Sequence, residues 1–187
     1  LQKFNPKCGV FQADLRSEEQ TVAMIQQIHQ QYGYIDILIN NVGNFIYKPI
    51  EQVSFEEFKD VIETNLYATF LCSKLVLEKM KERGSGNIVN IGCASAHRVR
   101  ELTTPYYIAK TGVLMLTKRF AADYAPYGIR VNAISPGILE NGVAKLDVPA
   151  GRPGTFEDIW NTVSFLLSPA SLYVNGANIE VAGAWLP

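Results

Sequence analysis

Short apolar runs alternate along this chain with longer stretches in which apolar residues recur every three or four positions. Some short runs, such as residues 35–39, are apolar at almost every position, which is typical of strands buried on both faces of a parallel sheet. The pattern predicts five strands, at residues 9–13, 35–40, 87–91, 129–134 and 178–181.

Hydroxyl residues mark the starts of three helices between these strands. Each is followed three positions later by a side chain that can hydrogen-bond back to it, the pattern of a capping box. The three pairs are Ser17 with Gln20, Ser54 with Glu57, and Thr155 with Asp158. The second pair opens a long helix that runs over residues 55–83.

A fourth helix is predicted over residues 106–127. Thr104 and Pro105 precede it and Gly128 follows it, which suits the missing N–H of proline and the left-handed conformation that glycine tolerates.

The repeated order strand, helix, strand predicts an α/β fold with a doubly wound parallel sheet. Helical crossovers are almost always right-handed, and we expect them to place helices on both faces. No repeat, low-complexity tract or linker interrupts the sequence, so residues 1–187 are expected to form one domain. Ligands of such sheets bind beyond the carboxyl ends of the strands.

Composition, net charge and cysteine spacing argue against several classes of partner. With 48% hydrophobic and 19% charged residues among 187, the chain is typical of globular proteins. Its 17 Lys and Arg against 18 Asp and Glu leave no positive excess for a nucleic acid. It has no run of about 18 apolar residues that could span a membrane. Cys8, Cys72 and Cys93 fit neither a disulfide framework nor a Cys-x-x-Cys metal site. We therefore expect a cytoplasmic protein without nucleic-acid, membrane or metal partners.

Small or polar residues follow four of the predicted strands. The segments are Asp14, Asn40-Asn41-Val42-Gly43, Gly92-Cys93-Ala94-Ser95 and Ser135-Pro136-Gly137. Taken singly, each has an ordinary explanation, since Asp is a common helix cap and Asn-Asn-x-Gly a common turn. Their convergence at one edge of a parallel sheet is what favours a binding site.

Tyr106 and Lys110 lie one turn apart on the fourth helix and share a face. Bringing a tyrosine pKa from about 10 toward 7 takes about 4 kcal/mol, part of which a nearby ammonium can supply. The pair is a candidate for proton transfer. The alternative is an amphipathic helix with an exposed lysine beside a packed aromatic ring.

Together these motifs resemble the short-chain dehydrogenase/reductase family, over residues 9–183. Tyr106 and Lys110 match its Tyr-x-x-x-Lys signature, and Asn65 matches a helix asparagine that holds a water in the proton relay. By this resemblance the cofactor-binding residues are Asp14 near the adenine ring, Leu15, Asn41, Val42, Gly43, Tyr106, Lys110, Pro136, Gly137 and Leu139. Residues 149–152 and 178–183 are similar to the bacterial 3-oxoacyl-[acyl-carrier-protein] reductase branch.

The resemblance implies a Rossmann-like domain that transfers hydride between NADP or NAD and a small-molecule carbonyl or secondary alcohol. Tyr106 would be the general acid in reduction and the base in oxidation. Lys110 would lower the Tyr106 pKa and hold the nicotinamide ribose. Similar proteins pair the helix over residues 55–83 and the Tyr106 helix with symmetry mates, so a homodimer or homotetramer is expected.

Cys93 stands where the family usually has the serine that binds the substrate oxygen, thirteen residues before the catalytic tyrosine. A thiol is a weak donor, and the loss of one donor to a developing oxyanion can cost about 3 kcal/mol. Ser95 faces the same side of an extended segment, and we hypothesise that it takes this role. The candidate catalytic residues are therefore Asn65, Cys93, Ser95, Tyr106 and Lys110.

The family's opening strand, Gly-rich turn and following helix, roughly 45 residues, have no counterpart in this sequence. That turn normally places backbone N–H groups against the pyrophosphate. The domain is therefore expected to be incomplete at its N-terminus, with an open sheet edge. The preferred explanation is that the sequence covers part of a longer chain. The alternative is an inactive relative that acts as a binding or scaffold protein.

The segment of residues 138–148 is shorter than the family's lid over the substrate. The mouth of the site is expected to be lined by His97, Arg98, Arg100 and Glu101. A solvated charged loop explains these four residues equally well.

Overall fold

The structure is a computed structural model that describes residues 8–96, 102–140 and 148–185. Its helices are α1 (Glu18–Tyr32), α2 (Phe55–Ile62), α3 (Ala68–Arg83), α4 (Thr104–Tyr124) and α5 (Phe156–Leu167). Its strands are β1 (Ile37–Asn40), β2 (Gly86–Ile91), β3 (Ile129–Pro136) and β4 (Asn178–Val181). The expected mouth residues His97, Arg98, Arg100 and Glu101, and residues 141–147 of the short lid segment, lie outside the described residues.

The four strands form one parallel sheet in the order β1-β2-β3-β4. Asn40 at the end of β1 is in register with Asn90, and Ile91 at the end of β2 is in register with Ile134 of β3. Because all strands run the same way, the carboxyl ends of β1, β2 and β3 meet at one edge of the sheet. We call this edge the rim.

Helices cover both faces of the sheet. Ile88 of β2 packs in a cluster with residues of α1, α3 and α4, whereas its neighbour Val89 packs against Val163 and Leu166 of α5. Adjacent strand residues point to opposite faces, so α5 lies on the opposite face of the sheet from α1, α3 and α4. The expected three-layer α/β/α class is confirmed.

The position of α5 corrects the expectation that the helical crossovers are right-handed. Since the strand order runs in one direction, crossovers of a single hand would place every connecting helix on the same face. The connections through α4 and through α5 lie on opposite faces. They therefore have opposite hands, and one of them departs from the right-handed rule.

The predicted helix ends are largely confirmed. The capping boxes Ser54 with Glu57 and Thr155 with Asp158 are both present. Ser17 also caps its helix, but the Gln20 side chain accepts from the Asp14 N–H at 2.9 Å instead of returning to Ser17.

The two long predicted helices differ from expectation in detail. A π-helical turn, Glu63–Tyr67, divides the first into α2 and α3. The second, α4, begins at Thr104 and is followed by a 3-10 turn that Gly128 ends with φ of 71°. Within the described ranges, no helix has the length and apolar character needed to cross a membrane.

Residues 9–13 do not form the predicted strand. An extended segment becomes a strand only by hydrogen bonding to a neighbour, and β1 has only β2 beside it within the described part of the sheet. Because β1 has a neighbour on one side only, it forms an open edge of the described sheet. The face of β1 away from Leu38 is also partly uncovered, since Ile37 is 45% and Ile39 40% exposed.

A line of polar side chains crosses the interior just below the rim. Asn40 Nδ2 donates to Ser73 Oγ at 3.0 Å and to Asn90 Oδ1 at 2.8 Å. Asn90 Nδ2 in turn donates to Thr117 Oγ1 at 2.9 Å. These bonds tie α3, β1, β2 and α4 together where the loops of the rim begin.

We predict that Asn90→Ala lowers the free energy of unfolding by about 2 to 3 kcal/mol, because it removes the hydrogen bonds that join the buried Asn90 side chain to Asn40 and to Thr117. The surface cap variant Ser54→Ala should lose only about 1 kcal/mol. Urea denaturation of the two variants beside the wild type measures both. A smaller loss for Asn90→Ala than for Ser54→Ala would contradict the structural role of this line.

Candidate active site

The loops after β2 and β3 are tied to one another at the rim. The Gly92 N–H donates to the Ile134 carbonyl at 2.7 Å, and the Ala94 N–H donates to the Pro136 carbonyl at 3.1 Å. These bonds hold the loop that carries Cys93 and Ser95 in a fixed place.

Lys110 of α4 brings a buried amine to this edge. Its side chain is only 4% exposed, and Nζ donates to the carbonyl of Ile91, the last residue of β2, at 2.7 Å. Removal from water disfavours the charged form and lowers the Lys110 pKa to about 8. The amine therefore loses its proton at a pH only slightly above the physiological range.

Tyr106 lies one turn before Lys110, and the Lys110 Nζ is 5.6 Å from its ring centroid. Burial raises the Tyr106 pKa, and a hydrogen bond with the Cys93 side chain raises it further. The expectation that Lys110 lowers this pKa is therefore wrong for this structure. The physical reason is that the amine bonds to the Ile91 carbonyl, while the phenol faces the Cys93 thiol in a partly dry setting.

Asn65 lies in the π-helical turn between α2 and α3, a rare conformation that is frequent at functional sites. Its Nδ2 donates to the carbonyls of Val61 at 2.9 Å and Asn44 at 2.8 Å. Its Oδ1 is buried without a hydrogen-bond partner. A Cβ on Gly43 would lie 2.5 Å from that oxygen and 3.6 Å from Lys110 Nζ. Gly43, Asn65 and Lys110 therefore meet at one point of the rim.

Cys93 and Ser95 lie side by side after β2. Cys93 Sγ is 3.2 Å from Ser95 Oγ, and Ser95 Oγ is 3.4 Å from the hydroxyl of Tyr107. Ser95 is 2% exposed, whereas Cys93 is only partly buried. Of the two, Cys93 is the residue that raises the Tyr106 pKa.

A cavity of about 290 Å³ lies between the segment before α1 and the carboxyl end of β1, and Leu15, Asn41 and Val42 line it. The neighbouring Asp14 carboxylate is bound by Arg16, with Nη2 at 2.8 Å from Oδ2. This guanidinium lowers the Asp14 pKa to about 2. Three of the predicted cofactor-binding residues, Leu15, Asn41 and Val42, thus line one groove.

A chain of polar contacts connects this groove with Asn65. Arg16 Nη1 lies 2.6 Å from Asp60 Oδ1, and Asn44 Nδ2 donates to Asp60 Oδ2 at 2.6 Å. Asn44 in turn accepts from the Asn65 amide. The sequence gives no signal for Arg16, Asp60 or Asn44, because residues that lie up to 44 positions apart meet only in the folded chain.

The loop after β3 carries Pro136, Gly137 and Leu139 along the other side of the rim. Leu139 forms an isolated bridge with Gly154. A Cβ on Gly137 would lie 2.8 Å from the Ala182 Cα. The close contact between this loop and the residue after β4 therefore requires glycine, independently of any role in cofactor binding.

Aromatic rings surround the Tyr106 phenol. Phe45, 60% exposed, packs edge-on with its centroid 6.0 Å away, and the Tyr107 centroid lies 5.8 Å away. No motif in the sequence marks either residue. The described site therefore joins Gly43, Asn65, Cys93, Tyr106 and Lys110, with Ser95 behind Cys93.

Similarity to known proteins identifies the family of this chain. A family model described as Enoyl-(Acyl carrier protein) reductase matches residues 1–184. The 3-oxoacyl-[acyl-carrier-protein] reductase of Vibrio cholerae is 33% identical over 181 residues, which cover 91% of this chain and 74% of the relative. The chain belongs to the short-chain dehydrogenase/reductase family.

Other relatives of this short-chain dehydrogenase/reductase differ in substrate. A probable 2,4-dienoyl-CoA reductase of Bacillus subtilis is 36% identical over 204 aligned positions, covering 100% of this chain and 80% of the relative. The crystal structure of a gluconate 5-dehydrogenase from Burkholderia cenocepacia, in complex with NADP and tartrate, superposes with a TM-score of 0.86. It is 33% identical and is matched over 91% of this chain and 72% of its own.

Lys110 should make the stability of the protein rise with pH. Its folded-state pKa of about 8 lies below the ordinary 10.5. The destabilisation by the buried charge is therefore fully present below pH 8 and disappears as pH rises toward 10.5. We predict that the unfolding free energy of the wild type gains about 3 kcal/mol over Lys110→Met across this range.

Urea denaturation of both proteins at each pH measures this difference. Subtracting the two unfolding free energies cancels the contribution of groups that titrate in both proteins. Lys118→Met, which replaces an exposed lysine of the same helix, should show no such change relative to the wild type. A pH-independent difference for Lys110→Met as well would contradict the burial of the amine.

Proposed function

We propose that this protein transfers hydride between NADP or NAD and a carbonyl or secondary alcohol, with Tyr106 as the acid/base. The observation that carries the proposal is the meeting of the Tyr106 phenol, the Cys93 thiol and the buried Lys110 amine at the carboxyl edge of a parallel sheet, the usual place of dinucleotides. Membership of an oxidoreductase family supports the same class of reaction.

The residues of the rim fit a nicotinamide dinucleotide. A Cβ on Gly43 would lie against Asn65 Oδ1, so glycine leaves this buried oxygen, which has no hydrogen-bond partner, uncovered on that side. The Lys110 amine beside it is a donor for ribose hydroxyls. When bound, the cofactor supplies or takes up the hydride. The solved relative that holds NADP supports this class of ligand.

The proposed cofactor contacts run along the whole edge. Leu15, Asn41 and Val42 line the groove at one end, with Asp14 next to Leu15 in the chain. Pro136, Gly137 and Leu139 belong to the loop at the other end. The polar contacts that run from Arg16 through Asp60 to Asn44 fix the distance between Asp14 and Asn65. They therefore help to set the distance between the residues that bind the two ends of the cofactor.

Tyr106 moves the proton in this proposal. In reduction its hydroxyl donates to the carbonyl oxygen as hydride reaches the carbon, and in oxidation the phenolate takes the proton of the alcohol. Because burial raises the Tyr106 pKa, the phenol stays protonated at neutral pH, which suits the reductive direction. Asn65 would hold a water that returns the proton by way of Lys110.

Assembly is part of the proposal. Exposed apolar side chains lie along α4, at Ile108 and Met115, and along the segment from the π turn into α3, at Tyr67 and Phe70. We propose that a cytoplasmic homodimer or homotetramer buries them. Sedimentation equilibrium of the full-length protein measures this directly.

We predict that Tyr106→Phe in the full-length protein lowers kcat by about 10² to 10⁴, the usual contribution of a general acid. Calorimetry should find the Kd for NADPH and NADH changed by less than about threefold, because the phenol contributes little to ground-state binding. Turnover is followed by nicotinamide absorbance with 3-oxoacyl thioesters, dienoyl thioesters and keto sugar acids.

Tyr124→Phe, a change of the same kind further along α4, is the matched control and should behave as the wild type. Retention of most activity in Tyr106→Phe would refute the acid/base role. Wild-type protein that binds both coenzymes but turns over none of these substrates would favour the non-catalytic binding protein instead.

A further inference from the structure

The side-chain amide of Asn65 has different surroundings at its nitrogen and at its oxygen. Three oxygens surround Nδ2, namely the carbonyls of Val61 at 2.9 Å and Asn44 at 2.8 Å, and Asn44 Oδ1 at 3.1 Å. Oδ1 lies on the side of Gly43 and has no hydrogen-bond partner among the described residues. The nitrogen is therefore held, and the oxygen is a free acceptor on the side where Lys110 lies.

The side chain of Asn44 is in turn oriented by Asp60. Asn44 Nδ2 donates to Asp60 Oδ2 at 2.6 Å. A carboxylate only accepts hydrogen bonds, so it selects the nitrogen of the Asn44 amide. The oxygen of the same amide then faces Asn65 Nδ2. Arg16 Nη1 lies 2.6 Å from the other carboxylate oxygen, Asp60 Oδ1, and holds the carboxylate in place.

The matching of donors and acceptors extends this selection to Asn65. If Asn44 turned its amide around, its NH₂ group would face the NH₂ group of Asn65, and neither group can accept. If the Asn65 amide turned instead, its oxygen would lie against the carbonyls that now accept from its nitrogen. The Asp60 carboxylate therefore favours the observed orientation of Asn65 through one intervening amide.

Folding stability is a weak reason for such an arrangement. The side chains of Arg16 and Asp60 are 43% and 42% exposed, and exposed ion pairs contribute little to stability. Asn65, by contrast, is fully buried within the π turn that joins α2 to α3. The half-exposed ion pair is thus connected to the orientation of a buried amide at the site.

We propose that Asp60, acting through Asn44, is a positioning residue for Asn65. It keeps the Asn65 amide oxygen on the side of the Lys110 amine. This inference rests on the proposed function, in which Asn65 and Lys110 return the proton to Tyr106. It adds to a fixed distance along the groove the choice of which amide atom faces the site, and neither Asp60 nor Asn44 needs to contact the substrate.

Asp60→Asn in the full-length protein tests this role. The new amide has the shape of the carboxylate but can donate to Asn44 Oδ1, so the Asn44 nitrogen is no longer required to face position 60. We expect kcat to fall by about fivefold to tenfold. The KM for substrate and the Kd for NADPH should change by less than about twofold, because Asp60 binds neither. Asp60→Glu, which keeps a carboxylate, should recover part of the loss.

A double-mutant cycle locates the effect. In the Asn44→Ala background and in the Asn65→Ala background, Asp60→Asn should lower kcat no further, because the groups through which it acts are gone. If Asn65→Ala does not fold, the Asn44→Ala cycle decides alone. The matched control is Asp123→Asn, which breaks another exposed ion pair, with Arg119 on α4, and should leave kcat unchanged.

A second measurement does not depend on turnover. In ¹⁵N-labelled protein, the side-chain NH₂ of Asn65, identified by its absence from Asn65→Ala, should exchange slowly with water because it is buried and bonded to three oxygens. Asp60→Asn should speed this exchange by about threefold or more, since Asn44 Oδ1 is no longer held as an acceptor. Asp123→Asn should leave it unchanged.

Wild-type kcat and wild-type amide exchange in Asp60→Asn would overturn the proposal. A full further loss of kcat in the Asn44→Ala background would also overturn it, because Asp60 would then act by another route. Failure of the proposed function is a different result, seen as an active Tyr106→Phe or as no turnover at all. In that case the amide exchange still decides whether Asp60 orients Asn65.

Discussion

The hydrogen bond from the Lys110 amine to the Ile91 carbonyl fixes the helix that carries the site to the strand that ends beneath it. A buried ammonium is unfavourable unless its hydrogens are bonded, so this contact constrains its surroundings. It sets the rotation of α4 and thereby the position of Tyr106 one turn earlier. Beside Lys110, position 43 requires glycine because a Cβ there would lie 2.5 Å from Asn65 Oδ1.

Two lines of polar side chains support that contact from below and from the side. One crosses the interior through Ser73, Asn40, Asn90 and Thr117, and the other follows the groove through Asp14, Arg16, Asp60, Asn44 and Asn65. A reaction that depends on the placing of a hydride carrier, a carbonyl carbon and a proton donor needs this kind of fixed geometry.

Local rules predicted much of this structure. Caps such as Ser54 and Thr155, the apolar runs of β2 and β3, and the one-turn spacing of Tyr106 and Lys110 depend on neighbouring residues alone. The features that could not be predicted depend on distant residues. In the part of the chain that the structure describes, no strand pairs with residues 9–13. The helix α5 packs on a face that strand order does not specify, and Arg16 reaches Asp60 across 44 positions. The raised Tyr106 pKa and the place of Ser95 behind Cys93 likewise follow from burial, which only tertiary packing sets.

Titration of the lysine side chains by NMR measures whether the Lys110 amine is buried at the rim. In protein labelled with ¹³C at the lysine Cε, we expect one resonance that titrates near a pKa of about 8 and is absent from Lys110→Met. The exposed lysines should titrate near about 10.4. If every lysine, Lys110 included, titrates at or above about 10, the amine is not buried at the rim and the arrangement of the site proposed around it is wrong.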